Sequence, residues 1–235
     1  MMRWLMTQDI HGMRTQISAL RHAPGVPASS VAACLLLLVA VAVAAPTALA
    51  SARPTILVLG DSISAAYGIQ REQGWVAHLE RRVAELDPPW QVVNASVSGE
   101  TTGGGLARLP TTLETHEPDV LVIELGGNDA LRGYPIERIR DNVQRLVELG
   151  QQASARVLLV GMQIPPNYGP RYTRAFADLF RQVSDQTGAS LVPFILEPVA
   201  LTPELMQDDG IHPTADAQPL MLETIWPYLQ PLLTR

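Results

Sequence analysis

Four short segments of this 235-residue chain carry side chains able to do chemistry together. "LVLGDSISAAYG" holds Ser62, "NASVSGETTGGG" holds Gly99, "ELGGNDALRG" holds Asn128, and "MQDDGIHPTADAQP" holds Asp208, Asp209 and His212. A serine hydroxyl is a poor nucleophile until a neighbouring base takes its proton. Histidine is the side chain whose ordinary pKa suits that task near neutrality. A glycine lets a backbone N–H approach a ligand without Cβ interference, and a carboxamide N–H can donate to a developing oxyanion. The chemistry this set could support is nucleophilic acyl transfer. Beyond residue 50 the only histidines are His78, His116 and His212. His78 falls inside an amphipathic helical stretch and His116 at a helix end, where capping explains it. His212 is the base by elimination.

Taken singly, each segment also has a structural explanation. Asp61 or Ser62 reads as a helix N-cap, and Ser64 stands where a Gly-x-Ser-x-Gly elbow has its second glycine. Gly103, Gly104 and Gly105 read as a flexible strand-to-helix turn, and Asn128 as an Asx-turn. The sequon "NAS" at 94–96 falls on a buried strand and carries little weight. Which of Asp208 and Asp209 serves His212 stays open at the level of the loop alone.

The elements that must position these groups are legible in the hydrophobic pattern. Five apolar runs, at 55–60, 92–96, 120–126, 157–162 and 190–194, are continuous and rich in β-branched residues. That is the pattern of parallel strands buried on both faces. Between them, residues 135–151 place Ile136, Ile139, Val143, Leu146 and Leu149 at three- and four-residue spacing, an amphipathic helix opened by Pro135 and stopping near Gly150. Similar helices are expected over 75–86, 106–116, 172–186 and 214–229. Strand and helix alternate throughout, so the expectation is one domain, residues 51–235, with an α/β sheet layered three deep. Ligands in such sheets sit at the carboxyl ends of the strands. Ser62, Gly99 and Asn128 each follow a separate strand there.

The first fifty residues read differently. Arg3, Arg14 and Arg21 precede the apolar run "VAACLLLLVAVAVAA" at 31–45, then "PTALA". Fifteen apolar residues fall short of the roughly 20 that span a bilayer, and Ala48-Leu49-Ala50 has the small-x-small form. The expectation is a signal peptide cleaved after Ala50, with Met1 or Met13 as the start. Removing it removes Cys34, the only cysteine, so no thiol chemistry is expected. All 17 basic residues are arginine; beyond residue 50, 14 of them face 22 acids, a net charge near −8. That balance argues against nucleic acid or anionic membranes as partners. A chain without lysine has no Walker phosphate loop and no Schiff-base chemistry.

In order and position, "GDS" at 60–62, Gly99 in "SVSGET", Asn128 in "GGND" and Asp209 with His212 in "DGIH" resemble the four blocks of the SGNH (GDSL) hydrolases. "GLARLP", "PPNYGPRY" and "MQDDGIHPTADAQP" are most like the bacterial periplasmic acyl-CoA thioesterase/lysophospholipase/arylesterase type, and the likeness spans about residues 54–232. Ile63 stands where the family name has leucine. The resemblance implies a flavodoxin-like α/β/α fold around a five-stranded parallel sheet. It implies Ser62 as nucleophile, His212 as base, Asp209 as its orienter, and an oxyanion hole of the Ser62 and Gly99 N–H groups and the Asn128 amide. It implies no cofactor and no metal, a small acyl ester or thioester as substrate, and a periplasmic or secreted monomer without a lasting membrane anchor. Tyr134, Ile164 and Tyr168, on the loops 130–135 and 163–172, are expected to line the acyl groove. Arg132 and Arg171 are candidates to meet an anionic head group. Carbohydrate deacetylation on the same scaffold, or a non-catalytic binding role, are the alternatives.

Overall fold

The computed structural model describes residues 53–234. The expected signal peptide, its cleavage point after Ala50 and Cys34 all lie outside them. Five strands form one parallel sheet: β1 (Thr55–Gly60), β2 (Gln91–Asn94), β3 (Val120–Glu124), β4 (Arg156–Val160) and β5 (Ser190–Val192), in the order β2-β1-β3-β4-β5. In the register, Leu57 stands beside Val93 on β2 and Leu121 on β3. β1 and β3 are buried along their whole length, and both are apolar but for Thr55 and Glu124.

Alternation along the strands divides the core in two. Ile56, Val58, Val120 and Val122 face α1 (Trp75–Ala84) and α6 (Gln218–Leu229) through Trp75, Leu79, Met221 and Ile225. Leu57, Leu59, Leu121 and Ile123 face α2 (Thr102–His116), α4 (Ile136–Gln152) and α5 (Pro170–Thr187) through Leu109, Leu146, Phe176 and Phe180. The short α3 (Gly127–Leu131) follows β3 directly. The result is three layers, α/β/α, in the flavodoxin-like strand order.

The element boundaries differ from the sequence expectation in instructive places. α2 starts at Thr102, not 106, and takes in the three glycines. The Thr101 hydroxyl caps it by accepting from the Gly104 N–H at 3.2 Å. Gly105 is there for packing: a Cβ would lie 2.6 Å from Leu125 Cδ1. Gly150 is also there for packing, since a Cβ would meet Leu121 Cδ2 at 2.6 Å, and α4 ends at Gln152, close to the expected stop. β2 ends at Asn94, two residues early, where the side chain turns to donate to Ser64 O at 2.9 Å and accept from Ser96 N. β5 stops before Pro193, which has no N–H to offer. The last helix opens with a 3₁₀ turn (Ala215–Ala217) before α6.

Candidate active site

In the strand order, β1 connects outward to β2 on one side while β3 lies on the other. A crevice opens at the carboxyl ends where such a reversal occurs, and Ser62 and Asn128 sit on its two sides. Leaving β1, the chain bends at once. Asp61 accepts from the Ile63 N–H through Oδ1 at 3.0 Å, its carbonyl accepts from Ala65 N, and Ser62 O accepts from Tyr67 N. No regular helix follows. Asp61 is therefore the acceptor of an Asx-turn, not a helix cap. This turn holds Ser62 at the mouth of the crevice.

His212 comes from a loop 150 residues away. Its Nε2 stands 2.9 Å from Ser62 Oγ, and its Nδ1 stands 2.6 Å from Asp209 Oδ2. The other Asp209 oxygen accepts from the Ile211 and His212 backbone N–H groups at 2.9 and 3.0 Å. Burial acts upward on this carboxyl, but the bonds from His212 and Ile211 and the nearby imidazole outweigh it and hold the pKa at about 2. Asp208 is exposed and its side chain makes no hydrogen bond among the described residues. The loop is braced to the serine turn by Gln207, whose Nε2 donates to Tyr67 O and Pro213 O, both at 2.9 Å, and whose N–H donates to His212 O. The Tyr67 ring lies 4.5 Å from the imidazole, centroid to centroid. His78 and His116 lie on α1 and at the end of α2.

Gly99 has φ +79°, a region a side chain resists. The Ser62 and Gly99 N–H groups donate to no acceptor among the described residues, while Arg132 donates to Gly99 O at 3.1 Å. Asn128 Nδ2 donates to Asp61 Oδ2 at 3.0 Å. That bond turns the NH2 end of the carboxamide toward the serine turn and leaves its second N–H available. Burial raises the Asp61 carboxyl to about 6, against the pull of the Ile63 and Asn128 hydrogen bonds and the His212 charge.

A cavity of about 750 Å³ opens onto this group, lined by Ser62, Gly99, Asn128 and His212 at one end and by largely apolar side chains elsewhere. Ile164 is among them. Tyr134 and Tyr168 are not: the Tyr134 ring packs into the core beside α4, and Tyr168 donates its hydroxyl to Leu131 O at 3.0 Å. With Tyr172, which donates to Tyr134 O, they tie the two loops to each other. Arg132 braces the Gly99 loop, and Arg171 is exposed. The wall that the sequence reading missed is the segment after β5, with Phe194, Ile195, Leu196 and Leu201. Its apolar residues continue a strand-like run and carry no local mark of a ligand. Among the described residues no group of three or more His, Cys, Asp or Glu side chains is placed to hold a metal ion.

The missed residue with a readable signal is Glu124. An acid ends the otherwise apolar run "VLVIELG", and the structure buries it completely. Its Oε2 accepts from Ser64 Oγ at 2.6 Å and from the Asp61 N–H at 3.3 Å.

Comparison with known proteins adds to this geometry. The chain matches the GDSL-like lipase/acylhydrolase family over residues 58–219. Esterase TesA of Pseudomonas aeruginosa is 50% identical over 183 residues, which cover 78% of this chain and 91% of that protein. Thioesterase 1/protease 1/lysophospholipase L1 of Escherichia coli K12 is 41% identical over 188 residues, covering 78% and 87%. The crystal structure of the psychrotrophic esterase EstA from Pseudoalteromonas sp., inhibited by monoethylphosphonate, is 44% identical with a TM-score of 0.73, covering 77% of this chain and 99% of that one.

Proposed function

The chain belongs to the GDSL-like lipase/acylhydrolase family, and on that premise we propose that it hydrolyses acyl esters and thioesters through Ser62, His212 and Asp209 by way of an acyl-enzyme. The observation that carries this reading is the unbroken line from Ser62 Oγ to His212 at 2.9 Å and on to Asp209 at 2.6 Å. In the first half-reaction Ser62 Oγ attacks the acyl carbon while His212 Nε2 takes the hydroxyl proton. Asp209 accepts from Nδ1–H, which keeps Nε2 free to accept and stabilises the imidazolium that forms. The carbonyl oxygen becomes an oxyanion held by the Ser62 N–H, the Gly99 N–H and the second N–H of Asn128. Collapse breaks the bond to the alcohol or thiol, which leaves with the proton from His212. Water then attacks the Ser62 ester, gives its proton to His212, and the carboxylic acid departs as that proton returns to Ser62.

The cavity supports an acyl chain as the bound part: its volume lies within the range for small-molecule sites, and Ile164, Phe194 and Leu196 give it apolar walls. Every group in the scheme comes from one chain, so we infer that a monomer suffices. We also propose that the protein is exported, on the strength of the apolar run at 31–45 and the Ala48-Leu49-Ala50 site.

The test is a series of p-nitrophenyl and acyl-thioester substrates of rising chain length with purified residues 51–235. The expected result is turnover of both classes that depends on chain length and is lost in Ser62→Ala. Turnover that survives that substitution would refute the assignment of Ser62.

A further inference from the structure

Among the buried titratable groups that the mechanism leaves unused, Glu124 lies directly behind the nucleophile. Glu124 closes β3 with 0% exposure, beside the end of β1. One oxygen, Oε2, gathers two donors from the Ser62 turn: the Ser64 hydroxyl at 2.6 Å and the Asp61 backbone N–H at 3.3 Å. The other, Oε1, is buried with no hydrogen-bond partner among the described residues. The fit is close, since a Cβ on Gly60 would lie 2.8 Å from Oε2 and 2.7 Å from Ser64 Oγ. A carboxyl placed this way is expensive to bury. An apolar residue would suit a strand whose other members are all apolar.

What Glu124 touches leads to the reacting atoms on both sides of Ser62. Asp61, whose N–H it accepts, holds the Asn128 amide through Oδ2 and the Ile63 N–H through Oδ1. Ser64, whose hydroxyl it accepts, is tied through its carbonyl to Asn94 at the end of β2. Glu124 thus stands under a turn whose flanks enclose Ser62 and hold the Asn128 amide, the two donors assigned above to the oxyanion.

Resting on the reading of Ser62 and Asn128 given above, we propose that Glu124 is a positioning residue: through Asp61 and Ser64 it sets the oxyanion-binding half of the site. Burial first, and the Asp61 carboxylate second, hold the Glu124 carboxyl well above its ordinary pKa. Its two donors need only an acceptor oxygen, which a glutamine carbonyl on a side chain of the same length also supplies. Glu124 does not line the cavity, so its effect falls on the chemical step and not on substrate binding.

The experiment compares Glu124→Met, Glu124→Gln and Ser64→Ala in otherwise intact protein. kcat and KM are measured on a short p-nitrophenyl ester, with kcat expressed per site titrated by a fluorophosphonate. Glu124→Met keeps the length and removes the acceptor. It should lower kcat per titrated site about 10- to 100-fold, the scale of a misplaced oxyanion donor, with KM within about twofold. Glu124→Gln restores the acceptor and should recover most of that loss. A purely packing role would lower the number of titrated sites and the melting temperature, and would leave kcat per site unchanged. Unchanged kcat per site in Glu124→Met, or no recovery in Glu124→Gln, overturns the proposal. Should Glu124→Met fail to fold, Ser64→Ala decides: it should lower kcat per site by several-fold, and full activity overturns the proposal. Ser62→Ala runs alongside. If it is inactive while Glu124→Met is fully active, only the role of Glu124 falls; if it remains active, the reading of the whole site falls.

Discussion

Asp209→Asn is the substitution whose outcome the geometry determines most closely. One carboxylate oxygen faces His212 Nδ1 at 2.6 Å, and the other faces two backbone N–H groups at 2.9 and 3.0 Å. An asparagine must choose. With its carbonyl toward the backbone pair it keeps two hydrogen bonds and turns its NH2 group toward Nδ1. With its carbonyl toward Nδ1 it keeps one bond and sets its NH2 against two donors. The first arrangement is favoured, and it forces Nδ1 to accept, so the proton moves to Nε2 and the imidazole cannot take the Ser62 proton. In a buried triad this tautomer error lowers turnover about 10⁴-fold. Asp209 is 40% exposed at its side chain, so water can substitute in part. We expect kcat to fall about 10²- to 10³-fold, or about 2.7–4 kcal/mol of barrier, with KM within about threefold. Asp208→Asn, which removes no hydrogen bond, should stay within about twofold of the parent. The assay is steady-state hydrolysis of p-nitrophenyl butyrate at pH 8, with near-UV circular dichroism to check the fold. Equal losses in the two variants, or the larger loss at Asp208, would refute this account of the loop.

Asn128→Ala removes one oxyanion donor and should lower kcat about 10²- to 10³-fold with little change in KM, read from the same assay. Ile164→Trp narrows the apolar wall of the 750 Å³ cavity; the ratio of kcat/KM for dodecanoyl over butanoyl esters should drop about tenfold, and an unchanged ratio would place the acyl chain elsewhere. Gly105→Ala gains helix propensity of about 1 kcal/mol, but its Cβ would stand 2.6 Å from Leu125 Cδ1. Overpacking of about 1–3 kcal/mol should win, and differential scanning calorimetry should show a lower melting temperature.

How much of this was legible in the sequence depended on whether the signal was local. β1 and β3 are buried on both faces, and their largely apolar runs announced them to within two residues. The edge strand β2 was overdrawn because Asn94 spends its side chain on Ser64, a contact across 30 residues. The glycines at 103–105 looked like a turn because helix propensity disfavours them. Close packing of α2 under Leu125, which no local rule reports, places Gly105 inside the helix. Ser62, Asn128 and His212 stood out in the sequence because each stands just past a strand or beside acids. The 2.9 Å approach of residues 150 apart was not. Tyr134 and Tyr168 stood out because aromatic rings on loops suit a ligand, yet the Tyr168 hydroxyl bonds Leu131 O and the Tyr134 ring packs against the core. Glu124 was in plain view as an acid in an apolar strand, and only its two donors on the Ser62 turn give it meaning.

The central claim is that Ser62 forms a covalent bond with the acyl group. Incubation of residues 51–235 with a fluorophosphonate, followed by proteolysis and mass spectrometry, tests it directly. The account predicts a single adduct on Ser62, formed in step with loss of esterase activity and absent from the Ser62→Ala protein. Complete inactivation with the adduct on another residue, or hydrolysis that continues with Ser62 fully modified, would contradict it.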